Sequence, residues 1–403
     1  MAPRSKRRRL SDLSDDLSDS EIYKPATLSD KESWNGFCEI ESEPALFNVM
    51  LREFGVRGVK VQEVVSLDEE MMAFMNKPIY GLIFLFRWRE DDAHKQEASC
   101  PDGIWFANQT ASNACASVAL LNIVNNIPDV DLGEHLRHFK EFTMPFTPAL
   151  RGDAINNFEF VKRVHNSFAR KMDILNSDLQ LHVESRTRKK ASTGPNDDDD
   201  DSSFHFIAFM PVMGQVWKFD GLERQPQSIG QCSEDDWLDL VRPNLLERMA
   251  AYEEDHIEFS ILGLVRDPLP DLVQKLAVNV RSLELIHAHL PPVTEGTTAP
   301  SYLEGTVLGP DASLGLTRVV LDAATVPEAT RIAYQDSSES QLDTQRQALC
   351  ETQTELCARV REEQQSQRAD DDYATGRRFD YGPAVRTWLQ FLARKQVLAD
   401  LLR

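Results

Sequence analysis

Residues 113–125 constrain the fold more than any other part of this sequence. Nearly every position there is apolar or small, so a helix formed by this segment would have no side suited to water. Such a helix is stable only when other parts of the chain cover it. The segment therefore predicts a buried core helix.

Other segments rich in β-branched and aromatic residues predict strands. Residues 204–212 and 215–219 are two of them, and the Met213-Gly214 pair between them is typical of a short hairpin. Further strands are expected at residues 59–65, 79–88 and 256–265, and helices at residues 43–54 and 234–252. The pattern predicts a globular domain that mixes helices and strands.

Acidic residues outnumber basic ones in this chain. There are 65 Asp and Glu against 44 Lys and Arg, which gives a formal net charge of −21. This balance argues against a nucleic-acid-binding protein, which presents a basic face to phosphates, and favours basic partners. No apolar run is long enough to span a bilayer, so we expect no membrane association.

Six cysteines are spread along the chain without any C-x-x-C pair. This spacing argues against a structural zinc site. No secretory segment is recognisable, so reduced thiols in the nucleus and cytoplasm are expected. A basic cluster at residues 4–9 is typical of a nuclear import signal, although a solvated tail would have the same composition.

Composition divides the chain into four regions. We expect a disordered tail at residues 1–33, a globular domain at 34–266, a helix, linker and short coiled coil at 267–376, and a helical extension at 377–403. The coiled coil is indicated by leucines that recur every seven residues, at Leu342, Leu349 and Leu356.

Two segments interrupt the globular pattern. Residues 143–157 contain Pro145, Pro148 and Gly152 and are expected to form a long mobile loop. Residues 186–203 carry five consecutive aspartates, which cannot pack into a core, and are expected to be a disordered acidic insertion.

Cys115 begins the predicted core helix and is a candidate nucleophile. Unpaired backbone N–H groups and the helix dipole stabilise a thiolate at that position. Gln109 precedes the helix, where its side-chain amide could donate a hydrogen bond to an oxyanion. A cysteine at the start of a buried helix is more often an inert core residue, so the interpretation depends on finding a base.

His205 and Asp220 are the candidate base and its orienting acid. Strand alternation places His205 on the face opposite its neighbours Phe204 and Phe206. Asp220 ends the next strand of the predicted hairpin, where its carboxylate could lie beside His205. A thiol nucleophile requires such a base, and the base requires an acceptor that orients it. A lone histidine on a strand would more often be structural.

Several stretches of the sequence resemble the signatures of the ubiquitin C-terminal hydrolase family. They are Asn108-Gln-Thr with Asn113-Ala-Cys115-Ala-Ser, Val164-His-Asn-Ser-Phe-Ala169, Phe204-His205-Phe206, Phe219-Asp220-Gly221-Leu222, Asp235-Asp236-Trp237 and Val241-Arg242-Pro243. The similarity covers about residues 34–266, with the stretches in the expected order. Phe219 stands where the family usually has leucine.

The resemblance implies a fold and a role for each candidate residue. The implied fold is a papain-like α/β catalytic domain, with a central antiparallel sheet flanked by helices, a knotted backbone and a C-terminal helical extension. Cys115 would be the nucleophile, His205 the general base and acid, Asp220 the residue that orients His205, and Gln109 the oxyanion stabiliser.

The resemblance also implies the reaction, hydrolysis of bonds at the C-terminal glycine of ubiquitin through an acyl-enzyme, with no cofactor or metal. In the family a loop crosses over the active site, and residues 143–157 are expected to occupy its place. The implied substrates are ubiquitin and ubiquitin conjugates.

Residues 377–403 resemble the helical extension of two subgroups of the family. The similarity rests on Arg377-Arg378-Phe379-Asp380-Tyr381 and on an apolar stripe of Val385, Trp388, Leu389 and Leu392. It implies a partner with a deubiquitinase-adaptor domain, either a proteasomal ubiquitin receptor or a chromatin-linked adaptor. We expect the proteasome-linked type, with a chromatin-associated histone deubiquitinase as the alternative.

Two further classes of function are to be weighed against a deubiquitinase. One is a non-catalytic ubiquitin-binding module that has kept the fold, and the other is an unrelated thiol hydrolase or transferase that acts on a small acyl substrate. Labelling of Cys115 by a ubiquitin electrophile argues against the first. Cleavage of a ubiquitin conjugate but not of a short peptide conjugate argues against the second.

Overall fold

The computed structural model describes residues 24–87, 97–176, 204–233, 236–254, 259–290 and 305–395. The chain divides into two compact units, one of residues 1–265 together with 371–403 and the other of residues 266–370. The acidic insertion expected at residues 186–203 and the first 23 residues of the expected tail lie outside the described residues.

The first unit is built on a six-stranded sheet with the strand order β1-β6-β2-β3-β4-β5. The strands are β1 (Val59–Glu63), β2 (Ile79–Arg87), β3 (Phe204–Val212), β4 (Gln215–Asp220), β5 (Gln227–Gln231) and β6 (Ser260–Arg266). The four strand pairs from β6 to β5 are antiparallel, which confirms the central antiparallel sheet.

Helices cover both faces of this sheet. They are α1 (Leu28–Ser33), α2 (Pro44–Phe54), α3 (Glu69–Met72), α4 (Cys115–Val124), α5 (Gly133–Thr143), α6 (Pro148–Asn156), α7 (Glu159–Asn166) and α8 (Trp237–Glu254). On one face α2 and α4 pack with Phe206 and Ala208, and on the other α8 packs with Ile207 and Phe209. Every residue of α4 after Cys115 is buried, so the predicted core helix is confirmed.

The predicted hairpin joins β3 to β4 through a two-residue turn. Met213 and Gly214 both have positive φ angles, 54° and 75°, as a turn that matches the twist of two antiparallel strands requires. The turn fixes the register in which Val212 pairs with Gln215 and Ile207 pairs with Asp220. The register in turn decides which residues of the two strands share a face.

The expectation of a long mobile loop at residues 143–157 is wrong, because most of this segment is α6. Thr147 caps the helix by accepting a hydrogen bond from Leu150 N–H, and Pro148 occupies the first turn, where its missing N–H costs nothing. Gly152 lies inside the helix and is buried. Proline and glycine here begin and pack a helix, whereas the sequence analysis took them to break one.

The expected disordered tail also ends earlier than predicted. Residues 28–33 form α1, which has a capping box between Thr27 and Asp30. The Lys31 side chain donates a hydrogen bond of 2.8 Å to the Ser167 carbonyl, which ties α1 to the chain after α7. The composition of residues 1–33 is mostly polar, and it did not reveal this local cap.

The second unit is helical. Its helices are α9 (Leu269–His289), α10 (Arg318–Ala323), α11 (Glu328–Asp336) and the part of α12 (Glu339–Arg378) that precedes Asp371. Leu342 and Leu349 pack with Ile286 of α9, and Leu356 joins an apolar cluster that contains Leu272. The heptad of leucines therefore packs within this unit, and the prediction of a coiled coil is wrong.

A further helix, α13 (Gly382–Arg394), belongs to the first unit by sequence range.

Within the described parts of the chain, no helix combines the length and apolar character needed to cross a membrane.

Candidate active site

His205 and Asp220 form a buried hydrogen-bonded pair. Because Ile207 of β3 lies opposite Asp220 of β4, His205 and Asp220 are diagonal neighbours on one face of the sheet. His205 Nε2 lies 2.7 Å from Asp220 Oδ1, and the two residues are only 2% and 3% exposed. Leu222 N–H donates to the same oxygen over 3.0 Å, which holds the carboxylate in place.

The environment favours the charged forms of both side chains. Burial lowers the pKa of His205, but hydrogen bonds to Asp220 and to Cys115 outweigh it and raise this pKa to about 9. Burial raises the pKa of Asp220, but its hydrogen bond to His205 and the positive charges of His205 and Lys218 hold this pKa below its usual value. At neutral pH the pair is therefore able to exist as imidazolium and carboxylate.

Cys115 reaches this pair from the other side. It is the first residue of α4 and is half-buried, whereas the rest of the helix is buried. No side chain caps this helix at Ala114, so the N–H groups of its first turn have no side-chain partner there. The Cys115 thiol lies close enough to His205 to raise its pKa, and because Nε2 is bonded to Asp220, the nitrogen left for the sulfur is Nδ1.

Gln109 lies beside the residue that follows Asp220. Its backbone N–H donates a hydrogen bond of 2.8 Å to the Gly221 carbonyl. A Cβ atom on Gly221 would lie only 3.1 Å from Gln109 Cβ, so the close approach of the two segments depends on a glycine at this position. Gln109 Oε1 is buried and has no hydrogen-bond partner among the described residues.

Asn108 fixes the same loop, and the sequence analysis did not give it a role. Its side-chain amide donates hydrogen bonds of 2.6 Å to the Glu223 carbonyl and 3.4 Å to the Gly221 carbonyl. These bonds connect the Gln109 loop to the turn after β4. The preference of asparagine for loops gave no signal that could distinguish this role from an ordinary surface position.

Arg151 of α6 also supports this loop, and the sequence analysis did not give it a role either. The residue is 5% exposed, and its guanidinium donates to four carbonyl oxygens over 2.6 to 3.2 Å, those of Ile104, Phe106, Thr143 and Met144. The neighbouring Gly152 approaches the loop so closely that a Cβ atom there would lie 2.2 Å from the Asn108 carbonyl oxygen. The only signal in the sequence was the Thr147-Pro148 helix start.

His165, which lies in one of the family stretches, is a second buried histidine outside this site. One ring nitrogen, Nδ1, lies 2.8 Å from Ser117 Oγ on α4, and the other, Nε2, lies 2.7 Å from the Cys38 carbonyl oxygen. Burial lowers the pKa of His165 to about 4. This histidine is therefore neutral and joins α7 to the core helix that begins with Cys115.

The structure thus brings together three of the four residues that the sequence selected, and it holds the backbone of the fourth against Gly221. A half-buried thiol at a helix N-terminus, a base close to it and an acid bonded to the base form the arrangement that nucleophilic catalysis requires. The arrangement can accept the thiol proton on His205, attack an acyl carbon and return the proton to a leaving group.

Comparison with known proteins places the chain in a family. A family model described as ubiquitin carboxyl-terminal hydrolase, family 1, matches residues 37–250. The chain is 34% identical over 249 residues to ubiquitin carboxyl-terminal hydrolase isozyme L5 of Dictyostelium discoideum, covering 62% of this chain and 66% of that one. It is 36% identical over 259 residues to ubiquitin carboxyl-terminal hydrolase ubh-4 of Caenorhabditis elegans, covering 64% and 73%.

A third relative is much longer than the matched region. The chain is 33% identical over 249 residues to ubiquitin carboxyl-terminal hydrolase BAP1 of Xenopus tropicalis, covering 58% of this chain and 34% of that one. The match therefore spans about two thirds of the first relative and about one third of the third. The family match extends over more than half of this chain and includes Gln109, Cys115, His205 and Asp220. The chain belongs to the ubiquitin carboxyl-terminal hydrolase family 1.

Proposed function

We propose that this protein is a deubiquitinase, a thiol-dependent enzyme that hydrolyses bonds at the C-terminal glycine of ubiquitin. The observation that carries the proposal is the contact of Cys115, His205 and Asp220, which come from a helix and two strands of a chain in this family. The names of its relatives state the same activity.

The first half of the proposed reaction forms an acyl-enzyme. The Cys115 thiolate attacks the carbonyl carbon of the terminal glycine, and the carbonyl oxygen becomes an oxyanion that the Gln109 amide stabilises. When the tetrahedral intermediate collapses, the C–N bond breaks and the departing amine takes a proton from His205. Asp220 accepts a hydrogen bond from the other ring nitrogen and keeps the imidazole oriented.

The second half releases ubiquitin. Neutral His205 takes a proton from a water molecule, the resulting hydroxide attacks the thioester carbonyl, and the C–S bond breaks to leave the Cys115 thiolate and a carboxylic acid. The acid then loses its remaining proton to solvent and becomes the free carboxylate. Attacking group, acid, base and oxyanion donor are all side chains of this protein, and water is the only other reactant. The proposed reaction therefore needs no cofactor.

The charge of the protein suits the proposed substrate. The C-terminal tail of ubiquitin carries arginines, and this chain has a net charge of −21. Opposite charges accelerate association at long range, most strongly at low ionic strength. The proposal extends to ubiquitin conjugates as the physiological substrates.

A ubiquitin probe with an electrophile at its C-terminus tests the proposed function. We expect wild type to form a covalent adduct on Cys115 and to cleave a ubiquitin–fluorophore conjugate but not a short peptide conjugate. Cys115→Ala should abolish the adduct and turnover while ubiquitin affinity stays near the wild-type value. Cys232→Ala, which removes another half-buried free thiol, is the matched control and should behave as wild type.

Three results would contradict the proposal. Ubiquitin binding without any adduct, even with an adaptor present, would indicate a non-catalytic binding module. Equal cleavage of the peptide conjugate would indicate an unrelated thiol hydrolase. Loss of ubiquitin binding in Cys115→Ala would mean that the cysteine is structural.

We also propose that an adaptor protein is a partner of this chain in the nucleus and cytoplasm. It would bind through residues 377–403. The apolar stripe of α13 supports this proposal, because no residue of the helix is buried and Trp388 and Phe391 are 60% and 52% exposed. Exposed aromatic side chains at helical spacing are typical of a helix that docks on another protein. The resemblance favours a proteasomal ubiquitin receptor, with a chromatin-linked adaptor as the second candidate.

A further inference from the structure

Lys218 is a buried lysine on the strand that ends in Asp220. The residue is 2% exposed, and a lysine is almost never so fully buried unless its charge is compensated. Lys218 and Asp220 are two positions apart on β4, so their side chains stand on the same face of the sheet, with Cα atoms roughly 7 Å apart. A buried positive charge is thus held near the carboxylate that is bonded to His205.

The strands beside β4 carry few other titratable residues, while in the turn after β4 Glu223 is half-buried and Arg224 is exposed. Phe209 of β3 lies directly opposite Lys218, His205 is the one titratable residue of β3, and β5 has none. From α4, Cys115 contacts His205. Lys218 is therefore the only lysine or arginine on β3, β4 and β5.

Helix α8 packs on the same face and contributes one further cation near the site. The Arg248 guanidinium lies 5.5 Å from the centre of the Phe86 ring, and that ring lies 6.1 Å from the His205 ring. Three other charged residues of α8 are exposed or half-exposed, namely Asp239, Arg242 and Glu247. Water screens their charges more strongly than that of a buried lysine.

We propose that Lys218 is a positioning residue of the active site, whose buried charge keeps Asp220 ionised and sets the pH range in which the Cys115–His205 ion pair forms. The inference rests on the proposed function for its role in turnover. The effect of the Lys218 charge on Asp220, His205 and Cys115 does not depend on the proposed function, because it involves only side chains of this protein.

The direction of the effect follows from the sign of the charge. Opposite unit charges within about 10 Å of each other, in a medium of effective dielectric constant about 20, shift each other's titration by roughly one pH unit, and the effect is smaller at His205 and Cys115, which lie further away. Without the lysine charge the site is more negative, which stabilises the imidazolium and destabilises the thiolate. Both proton equilibria should therefore move to higher pH.

Alkylation of Cys115 by iodoacetamide measures this shift without any ubiquitin. The full-length chain would be compared as wild type, Lys218→Met, Lys218→Gln and Lys218→Arg, with the extent of labelling of Cys115 followed by peptide mass spectrometry across the pH range. Lys162→Met is the matched control, because Lys162 is also a buried lysine, at 4% exposure, but bonds to Asn35 over 2.9 Å and contacts the Phe37 ring.

We expect the midpoint of Cys115 labelling to rise by about half a pH unit or more in Lys218→Met and Lys218→Gln, and to stay at the wild-type value in Lys218→Arg and Lys162→Met. The acid and alkaline limbs of kcat/KM on a ubiquitin–fluorophore conjugate should shift in the same direction. A folded neutral variant with an unchanged midpoint would overturn the inference, and so would an equal shift in Lys162→Met.

The two proposals fail in different ways. A wild-type chain that cannot cleave ubiquitin conjugates would contradict the proposed function, while the labelling midpoints would still decide whether Lys218 tunes Cys115. A wild type that cleaves ubiquitin, together with unshifted midpoints in both neutral variants, would reject the role of Lys218 alone. Lys218→Gln retains polar character at the buried position, so a failure of Lys218→Met to fold leaves the test intact.

Discussion

Gln109 is held beside the His205–Asp220 pair by its backbone, and its proposed role as oxyanion donor predicts an effect on the transition state. If its amide donates to the oxyanion, Gln109→Ala should lower kcat on a ubiquitin–fluorophore conjugate by about 10²- to 10³-fold, because the bond is made only as the negative charge develops. The backbone bond to Gly221 is unaffected by this substitution, so KM and the melting temperature should stay near wild type.

A control separates this effect from a general loss of glutamine. Gln231→Ala at the exposed end of β5 should have wild-type kcat. A kcat within a factor of two of wild type in Gln109→Ala would remove this residue from the mechanism.

Some residues of the site could be predicted from the sequence, and others could not. Cys115, His205 and Asp220 were predictable because a helix start, strand alternation and a two-residue hairpin each fix a side-chain direction locally. Arg151 and Asn108 were not, because both act by donating to backbone carbonyls of distant segments, and any residue supplies a carbonyl. Lys218 was missed since its burial depends on the packing of α8 and not on its neighbours in sequence.

At the level of elements, α7 is joined to the core helix α4 through a neutral buried histidine, and this contact should make stability depend on pH. The folded-state pKa of His165 is about 4, below the ordinary value of 6.5, so the unfolded chain binds more protons between these values. The free energy of unfolding should therefore fall as the pH is lowered from 6.5 to 4, by about 3 kcal/mol from this residue alone.

Urea denaturation of wild type and His165→Gln at several pH values measures this contribution. The substitution lowers stability at every pH because it disturbs the bonds to Ser117 and Cys38, but the loss should be smaller at pH 4 than at pH 7. His138→Gln, at an exposed position of α5, should keep the pH dependence of wild type. Parallel curves for wild type and His165→Gln would show that His165 is not the titrating group.

The elements that the sequence predicted wrongly share one physical cause. In α6 a glycine is required by the carbonyl of Asn108, and in α12 the recurring leucines pack against helices of their own unit. The local sequence showed an unusual glycine and a repeated leucine, but it could not show which distant residues each of them contacts. Five of the six strands, by contrast, were predictable because alternation and turn chemistry are properties of adjacent residues, whereas β5 was not predicted.

At the level of the whole molecule, the end of α12 is bound into the first unit, and this changes what a truncation should do. Arg377 is 8% exposed, donates to both oxygens of Glu41 over 2.8 and 2.9 Å, and lies 3.0 Å from Asp173. Arg378 donates to Glu53 over 2.7 and 2.8 Å, and its guanidinium lies over the Phe168 ring. The side chain of Asp380 accepts hydrogen bonds from the backbone of Ala26 and Lys171.

Residues 377–380 therefore stabilise the first unit, so the predicted extension at residues 377–403 divides into a structural part and α13. Two truncations separate these parts. A chain ending at Gly376 loses the buried Arg377 and its bonds to Glu41 and Asp173, whose side chains are 50% and 27% exposed, so the melting temperature should fall by roughly 3 °C or more. A chain ending at Tyr381 keeps these contacts and should melt within about 1 °C of the full-length chain.

Co-purification from cell extracts completes the comparison, because both truncations remove the exposed stripe of α13. Each should lose the proposed adaptor, while the chain ending at Tyr381 should keep full activity on a small ubiquitin–fluorophore conjugate. Retention of the adaptor by the longer truncation would place its binding surface outside α13. Equal melting temperatures for the two truncations would mean that Arg377, Arg378 and Asp380 add nothing to the fold, against the bonds that they make to distant parts of the first unit.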